Sequence, residues 1–211
     1  MNFLAHFHLA WPDHGLVAGG LEGDYYKGPL RGELPADIER GVELHRAIDA
    51  FTDSHPVVGQ LRAEFPPELR RYAGILIDLG FDHYLSVHWS RFSDMPLGAF
   101  NRSVYSALRA QEWALSAGSR AMLRRLLEYD ILARYRHWET VPASAARIGE
   151  RLRGANPLTA IDRQLAPVRA RMEAAFLAFY PDAQAFSEAR QARFGQPPET
   201  QSDIALRRKS P

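Results

Sequence analysis

The sequence predicts an all-α fold, a single helical domain of about seven or eight helices. Three observations carry that expectation. Apolar residues recur at three- and four-residue spacing along most of the 211 residues. No stretch shows the strict alternation of a half-buried strand, and no repeat period emerges. Proline and glycine punctuate the periodic stretches, at Pro96, Gly118, Pro142, Gly154, Pro157 and Pro181, where they predict helix ends.

Taken in order, the chain opens with the apolar "MNFLAHFHLAW" and continues through "GLVAGGLEGDYYKG", which closes a helix with Gly19, Gly20, Gly23 and Asp24. Residues 35–53 begin with a proline at a first-turn position and carry Ile38, Val42, Leu44, Ile48 and Phe51 at helical spacing before ending at "SHP". Residues 67–92 are expected to form one long helix with Gly80 in its middle. Further helices are expected near 97–116, 119–137, 143–153 and 158–179. Nothing between them resembles an interdomain linker, so residues 1–194 are taken as one domain. The polar, proline-containing stretch 195–211 is expected to be a mobile tail.

Composition excludes several function classes. Hydrophobic residues make up 46% and charged residues 24%, as in an ordinary globular protein. With 26 basic against 25 acidic residues, the total charge gives no reason to expect nucleic acid as a partner. The absence of cysteine excludes disulfides, thiolate zinc sites and cysteine nucleophiles, so a metal must use His, Asp, Glu or backbone oxygens. The opening lacks a basic n-region and a small-residue cleavage site, which argues against a signal peptide. No stretch approaches the roughly 18 apolar residues of a membrane span. A cytoplasmic protein without a membrane partner is the expectation.

The chemistry concentrates where carboxylates and imidazoles interrupt apolar stripes. His45 and Asp49 stand four residues apart on the 35–53 helix, in line with Val42 and Ile38. Asp78 and Asp82 repeat the spacing within "ILIDLGFDHYL", on a stripe with Ile75, Leu85 and Trp89. His83 points about 100° away from Asp82. An ionised carboxylate in apolar surroundings costs several kcal/mol unless it is compensated. Either these residues form local ion pairs or they hold a cation, and two aligned carboxylates favour the cation. Asp24 follows glycines at 20 and 23 that let another backbone or a ligand come close, or that serve helix packing. His6 and His8 lie among aromatics in the opening segment, whereas His55, His88 and His137 rank lower. A site this rich in oxygen favours Mg²⁺ or Mn²⁺, with Fe²⁺ or Zn²⁺ open. No H-E-x-x-H, P-loop or G-x-S-x-G is present, and the Glu-x-x-His pairs of di-iron bundles are absent.

Read together, the opening "MNFLAHFHLA", the G-x-x-x-G-D of Gly19 to Asp24, "HRAIDAFTDSHP" at 45–56 and "ILIDLGFDHYLSVHWSRFS" at 75–93 resemble the acyl carrier protein phosphodiesterases. "YR" at 135–136 and "FYP" at 179–181 extend the resemblance weakly to about residue 185. The resemblance implies hydrolysis of the phosphodiester between 4′-phosphopantetheine and a serine of holo-acyl carrier protein. It also implies an HD-domain-like helical phosphohydrolase that often uses Mn²⁺. The chain departs from the HD signature in that its adjacent pair reads Asp82–His83. On this footing Asp24, His45, Asp78 and His83 are the expected metal ligands. Asp24, His6, Asp82 and Asp49 are expected in catalytic or orienting roles.

Acyl carrier proteins are strongly acidic, so the resemblance also implies a basic docking patch. Arg120, Arg124, Arg125, Arg134 and Arg136 fit one such patch, and Arg147, Arg151 and Arg153 form a second run. Each run also fits an ordinary solvated helix face. Two rival functions share the sequence features. One is a phosphohydrolase of nucleotides or other small phosphoesters. The other is a non-catalytic helical interaction protein whose His and Asp residues are structural pairs.

Overall fold

The computed structural model describes residues 1–194, so the expected tail at 195–211 lies outside the described residues. Among the described residues there are eleven α-helices, three short 3-10 turns and no strand. The helices are α1 (Phe3–Ala10), α2 (His14–Glu22), α3 (Ala36–Ser54), α4 (Pro56–Glu64), α5 (Pro67–Arg70), α6 (Ala73–Val87), α7 (Leu97–Ala110), α8 (Ala117–Glu128), α9 (Ile131–Arg134), α10 (Thr140–Gly149) and α11 (Asp162–Phe194). The all-α expectation holds, but the helix count exceeds the expected seven or eight.

The extra helices come from breaks that periodicity does not reveal. The expected 67–92 helix splits at Tyr72, whose backbone leaves the helical region (φ −104°, ψ 3°), and ends in a 3-10 turn at Trp89–Arg91. The expected 119–137 helix splits at Asp130, which adopts a left-handed conformation with φ 43°. Tyr105 pins that break, its hydroxyl donating to Asp130 Oδ1 and accepting the Leu132 N–H. Residues 56–64 add a helix, with Pro56 at its first turn.

Two prolines do not act as stops. Pro142 sits in the first turn of α10, where a missing N–H costs little. Pro181 lies inside the 33-residue α11. An interior proline costs about 3 kcal/mol. Beyond it, however, Ala183 and Ser187 continue the buried stripe of Phe176, Phe179 and Tyr180. Ser187 Oγ also donates to the Leu9 carbonyl at 2.6 Å, which ties the far half of α11 to α1.

The packing that positions the site involves α1, α2, α3 and α6. Helix α2 lies along α3, and their backbones touch: a Cβ added to Gly41 would stand 2.7 Å from Gly19 Cα. Only glycine permits that approach. Helix α1 packs against α2, α3, α6 and α11, and α6 is wedged between α1, α10 and α11.

Candidate metal centre

Helix spacing brings His45 and Asp49 onto one face of α3, with His45 Nε2 3.1 Å from Asp49 Oδ2. His6 arrives from α1 and stacks on His45, with ring centroids 4.0 Å apart and planes 18° apart. Its Nε2 lies 3.1 Å from the other Asp49 oxygen. One carboxylate thus engages both imidazoles by their Nε2 edges. His6, His45 and Asp49 offer ligand atoms that all lie within 4.8 Å of one another. Asp24, just past the end of α2, places Oδ1 3.7 Å from His45 Nε2. Gly23 makes this possible, since a Cβ there would stand 2.5 Å from the His45 ring. Gly20 is under no such constraint, its added Cβ meeting Phe7 at an ordinary 3.7 Å.

Asp78 completes this edge of the cluster. The Met1 ammonium is buried between Asp78 and Asp49, 3.1 Å and 3.2 Å from their oxygens. Burial disfavours its charge, yet the two carboxylates raise its pKa to about 10. A positive charge is therefore already stabilised at these carboxylates. Burial, reinforced by the charge of His45, lowers the His6 pKa to about 3. Burial pushes Asp49 upward, but hydrogen bonds from His45 and His6 outweigh it and hold the carboxyl well below the usual range. Burial raises both Asp24 and Asp78. The atoms of His6, His45 and Asp49, with Asp24 beside His45, fit a divalent cation of borderline or hard character, and Asp78 adjoins them through the Met1 ammonium.

Asp82 and His83 stand differently. Asp82 accepts the N–H groups of Leu4 and Ala5 at 2.8 Å and 3.1 Å. Asn2, at the N-cap of α1, makes no side-chain cap bond, so Asp82 caps that helix from α6. Burial raises its pKa to about 7 despite the two N–H donors. His83 turns away from the cluster, its Nδ1 2.8 Å from the Tyr135 carbonyl and its ring edge-on to Trp138.

The carboxylates open into a groove of about 300 Å³. Asp24 and Asp78 line one end, Phe3, Ile75, Leu79 and Ile148 form apolar walls, and Arg125 from α8, Arg147 from α10 and Arg151 from the turn after α10 face in. A second basin of about 580 Å³ joins it, sharing Arg125, Ile131, Ser144 and Arg147 and adding Arg134 and Tyr129. Of the arginines expected in one patch, Arg125 and Arg134 therefore line these basins. Arg120 instead donates to the Leu115 carbonyl. Arg124 and Arg136 are exposed and line neither. Arg147 and Arg151, a separate run in the sequence, face the same space as Arg125.

Glu22 is a structural participant that sequence reasoning misses. It is fully buried, and its Oε2 accepts the Ser116 N–H at 2.9 Å. That bond ties the end of α2, beside Asp24, to the start of α8, which carries Arg125. No cation adjoins Glu22 in the linear sequence to signal its burial.

An all-α fold with a histidine–carboxylate cluster able to hold a divalent metal defines the class. The chain belongs to the acyl carrier protein phosphodiesterase family, whose family model matches residues 1–183. Among curated proteins, it is 44% identical over 103 residues to an acyl carrier protein phosphodiesterase of Klebsiella pneumoniae (strain 342), covering 48% of this chain and 53% of that protein. A protein of the same description from Enterobacter sp. (strain 638) is 42% identical over 107 residues, covering 50% of this chain and 55% of its own. For Escherichia coli (strain K12 / DH10B) the figures are 44% over 101 residues, 47% and 52%. The chain thus spans about half the length of the curated relatives it matches. No solved structure gives a significant match. Among the described residues, no helix is long and apolar enough to cross a membrane.

Proposed function

We propose that this protein hydrolyses the phosphodiester joining 4′-phosphopantetheine to a serine of holo-acyl carrier protein. The products are apo-carrier protein and free 4′-phosphopantetheine. The reading includes a cytoplasmic location and a divalent cation, Mn²⁺ before Mg²⁺ or Fe²⁺. Family membership supports the substrate. The observation that carries the chemistry is a groove lined by Asp24 and Asp78 together with Arg125 and Arg147, with the His6–His45–Asp49 cluster adjoining it behind Asp24.

His6, His45, Asp49, Asp24 and Asp78 are the residues that would hold the cation. A divalent ion bound there supplies Lewis acidity to a phosphoryl oxygen and eases deprotonation of water. Asp49 fixes the two imidazoles by their Nε2 edges. His6 is neutral above about pH 3, so with its proton on Nδ1, which has no hydrogen-bond partner among the described residues, Nε2 would present a lone pair to a cation. Asp24, half exposed at the groove and raised by burial, takes the proton of the attacking water. Arg125 and Arg147 offset the charge on the non-bridging oxygens as the bond from phosphorus to the serine oxygen breaks, and that oxygen takes up a proton from solvent. Asp82 holds α1, and with it His6, in register. His83 is left out of this ligand set because its ring packs against Trp138 beside the Tyr135 carbonyl and is not among the side chains whose ligand atoms converge with His6, His45 and Asp49.

Mass spectrometry of holo-acyl carrier protein incubated with the protein and Mn²⁺ tests the reading. Loss of the phosphopantetheine mass is expected. An unchanged carrier protein, beside turnover of a nucleotide or a small phosphodiester, would replace the substrate. Asp78→Ala should abolish turnover while keeping the helical circular dichroism, and wild-type turnover in that variant would remove Asp78 from the site.

A further inference from the structure

We propose that Tyr135 is a further catalytic residue of the groove, its hydroxyl donating a hydrogen bond to a non-bridging oxygen of the substrate's phosphoryl group. The proposal rests on the hydrolase reading for the reaction, and on the groove itself for the place of the donor.

The hydroxyl of Tyr135 carries an unused proton. The residue follows directly on α9 and is buried, 2% exposed. Asn2 Nδ2 donates to its hydroxyl oxygen at 3.0 Å, while the phenol's own proton has no acceptor among the described residues. A buried tyrosine normally finds a partner for its O–H, and phenylalanine would fill the same space without that demand. Burial, and after it the charge of Asp82, raises the Tyr135 pKa well above the ordinary 10, so the proton stays on the oxygen. The N–H given by Asn2 polarises the phenol and strengthens it as a donor.

The neighbours of that proton set where it can act. Asn2 and Tyr135 line the same groove as Asp24, Asp78, Arg125 and Arg147. Since Asn2 meets the ring at its hydroxyl, the hydroxyl end is the one at the groove. The backbone end is tied to α6, the Tyr135 carbonyl lying 2.8 Å from His83 Nδ1. A ring held at both ends presents its donor in one place, as stabilisation of a transition state requires. The arginines of the groove supply charge. A neutral O–H adds a directed bond to the same phosphoryl group without placing another cation beside the metal end. Of the sequence pair Tyr135–Arg136, only the tyrosine turns inward, for Arg136 is exposed.

The test uses the full chain with Mn²⁺ and compares wild type with Tyr135→Phe and Asn2→Ala. Asn2→Ala breaks the same tie to α1 but leaves the phenol its proton. The measurements are kcat for holo-carrier protein and for bis(p-nitrophenyl) phosphate, the rate ratio of that diester to its phosphorothioate, and the affinity for inorganic phosphate by calorimetry. Tyr135→Phe should lower kcat for both substrates by about 10- to 100-fold. It should weaken phosphate binding by about tenfold. It should also shrink the rate ratio of diester to phosphorothioate, because sulfur is a poor acceptor for a bond the variant no longer makes. That ratio is independent of how much of the variant is folded. Asn2→Ala should stay within about threefold of wild type in each measurement. Equal losses in the two variants would reduce Tyr135 to a tie for α1 and overturn the proposal, as would an unchanged rate ratio. If wild-type protein leaves both esters intact yet phosphate binding depends on Tyr135 and not on Asn2, the donor stands and the hydrolase reading fails. If holo-carrier protein is hydrolysed equally by wild type and Tyr135→Phe, the hydrolase reading stands and the donor fails.

Discussion

The histidine–carboxylate wall, which reaches the groove through Asp24 and Asp78, and the arginine wall across it are built by opposite means. The histidine–carboxylate wall is locked: His6 and His45 are buried and stacked, Asp49 engages both, and Asp82 caps the helix that carries His6. The arginine wall is open, its charges exposed and without carboxylate partners among the described residues. Preorganisation suits a wall that must hold a cation in one geometry. Long, unpaired side chains suit a wall that meets a partner from solution. Loss of a locked element should therefore be costly and local in cause, whereas loss of an arginine should be graded and sensitive to salt.

The largest effect is expected from Asp49→Ala, which releases both imidazoles at once. Turnover of holo-carrier protein should fall on the order of 10³-fold or more. Mn²⁺ should no longer raise the melting temperature, a change scanning calorimetry would report. Near-normal turnover would mean that the locked wall is not the reacting one. Next comes Gly23→Ala, whose methyl group would press on the His45 ring from 2.5 Å. Metal titration by calorimetry should show affinity lower by about 10- to 100-fold. Arg151→Ala should be milder, with kcat/KM for the carrier protein down by about tenfold or less and the deficit shrinking at high salt. A salt-independent deficit would assign Arg151 to the locked side.

The smallest effect is one of pH. The folded-state pKa of Asp82, about 7, lies above the ordinary 3.8, so its favourable contribution is complete below about pH 4. It declines as pH rises through 7, because the buried carboxyl must then ionise. Asp82→Asn keeps a neutral cap at every pH but loses one acceptor for two N–H groups. It should cost about 1–2 kcal/mol at low pH, and the gap from wild type should narrow as pH rises toward 8. Denaturant melts at several pH values would show it, and a gap that widens would refute the sign.

The locked wall is the more legible in the sequence, since much of it is written in helical spacing. His45 and Asp49 share a face because they are four apart, and the apolar stripe around them says that the face is inward. The Asp78–Asp82 pair is equally visible, but spacing cannot divide the labour between them. That depends on α1, which is distant in sequence, offering its first N–H groups to Asp82 alone. His83 meets the same limit, for its orientation around α6 is clear while its partner, the Tyr135 carbonyl, is not. On the open wall the structure divides the expected run of arginines, for a physical reason. Arg124 and Arg125 point about 100° apart on α8, so only Arg125 faces the basin, and Arg134 rejoins it from α9 across the break at Asp130. Arg147 and Arg151 join Arg125 only through tertiary packing. Pro181 misleads for a related reason, because burial of the stripe beyond it outweighs a missing hydrogen bond.

The contact between Gly19 and Gly41 carries a consequence for how an activity screen of this protein would look. With no side chain between α2 and α3, there is no compliant layer to absorb an added carbon, and the strain would pass to the spacing of Asp24 from His45. In a saturation-mutagenesis map scored on carrier-protein turnover, both glycines should stand out as sharply as the histidines. A count of intolerant positions would then overstate the chemical apparatus by including two residues that never meet the substrate.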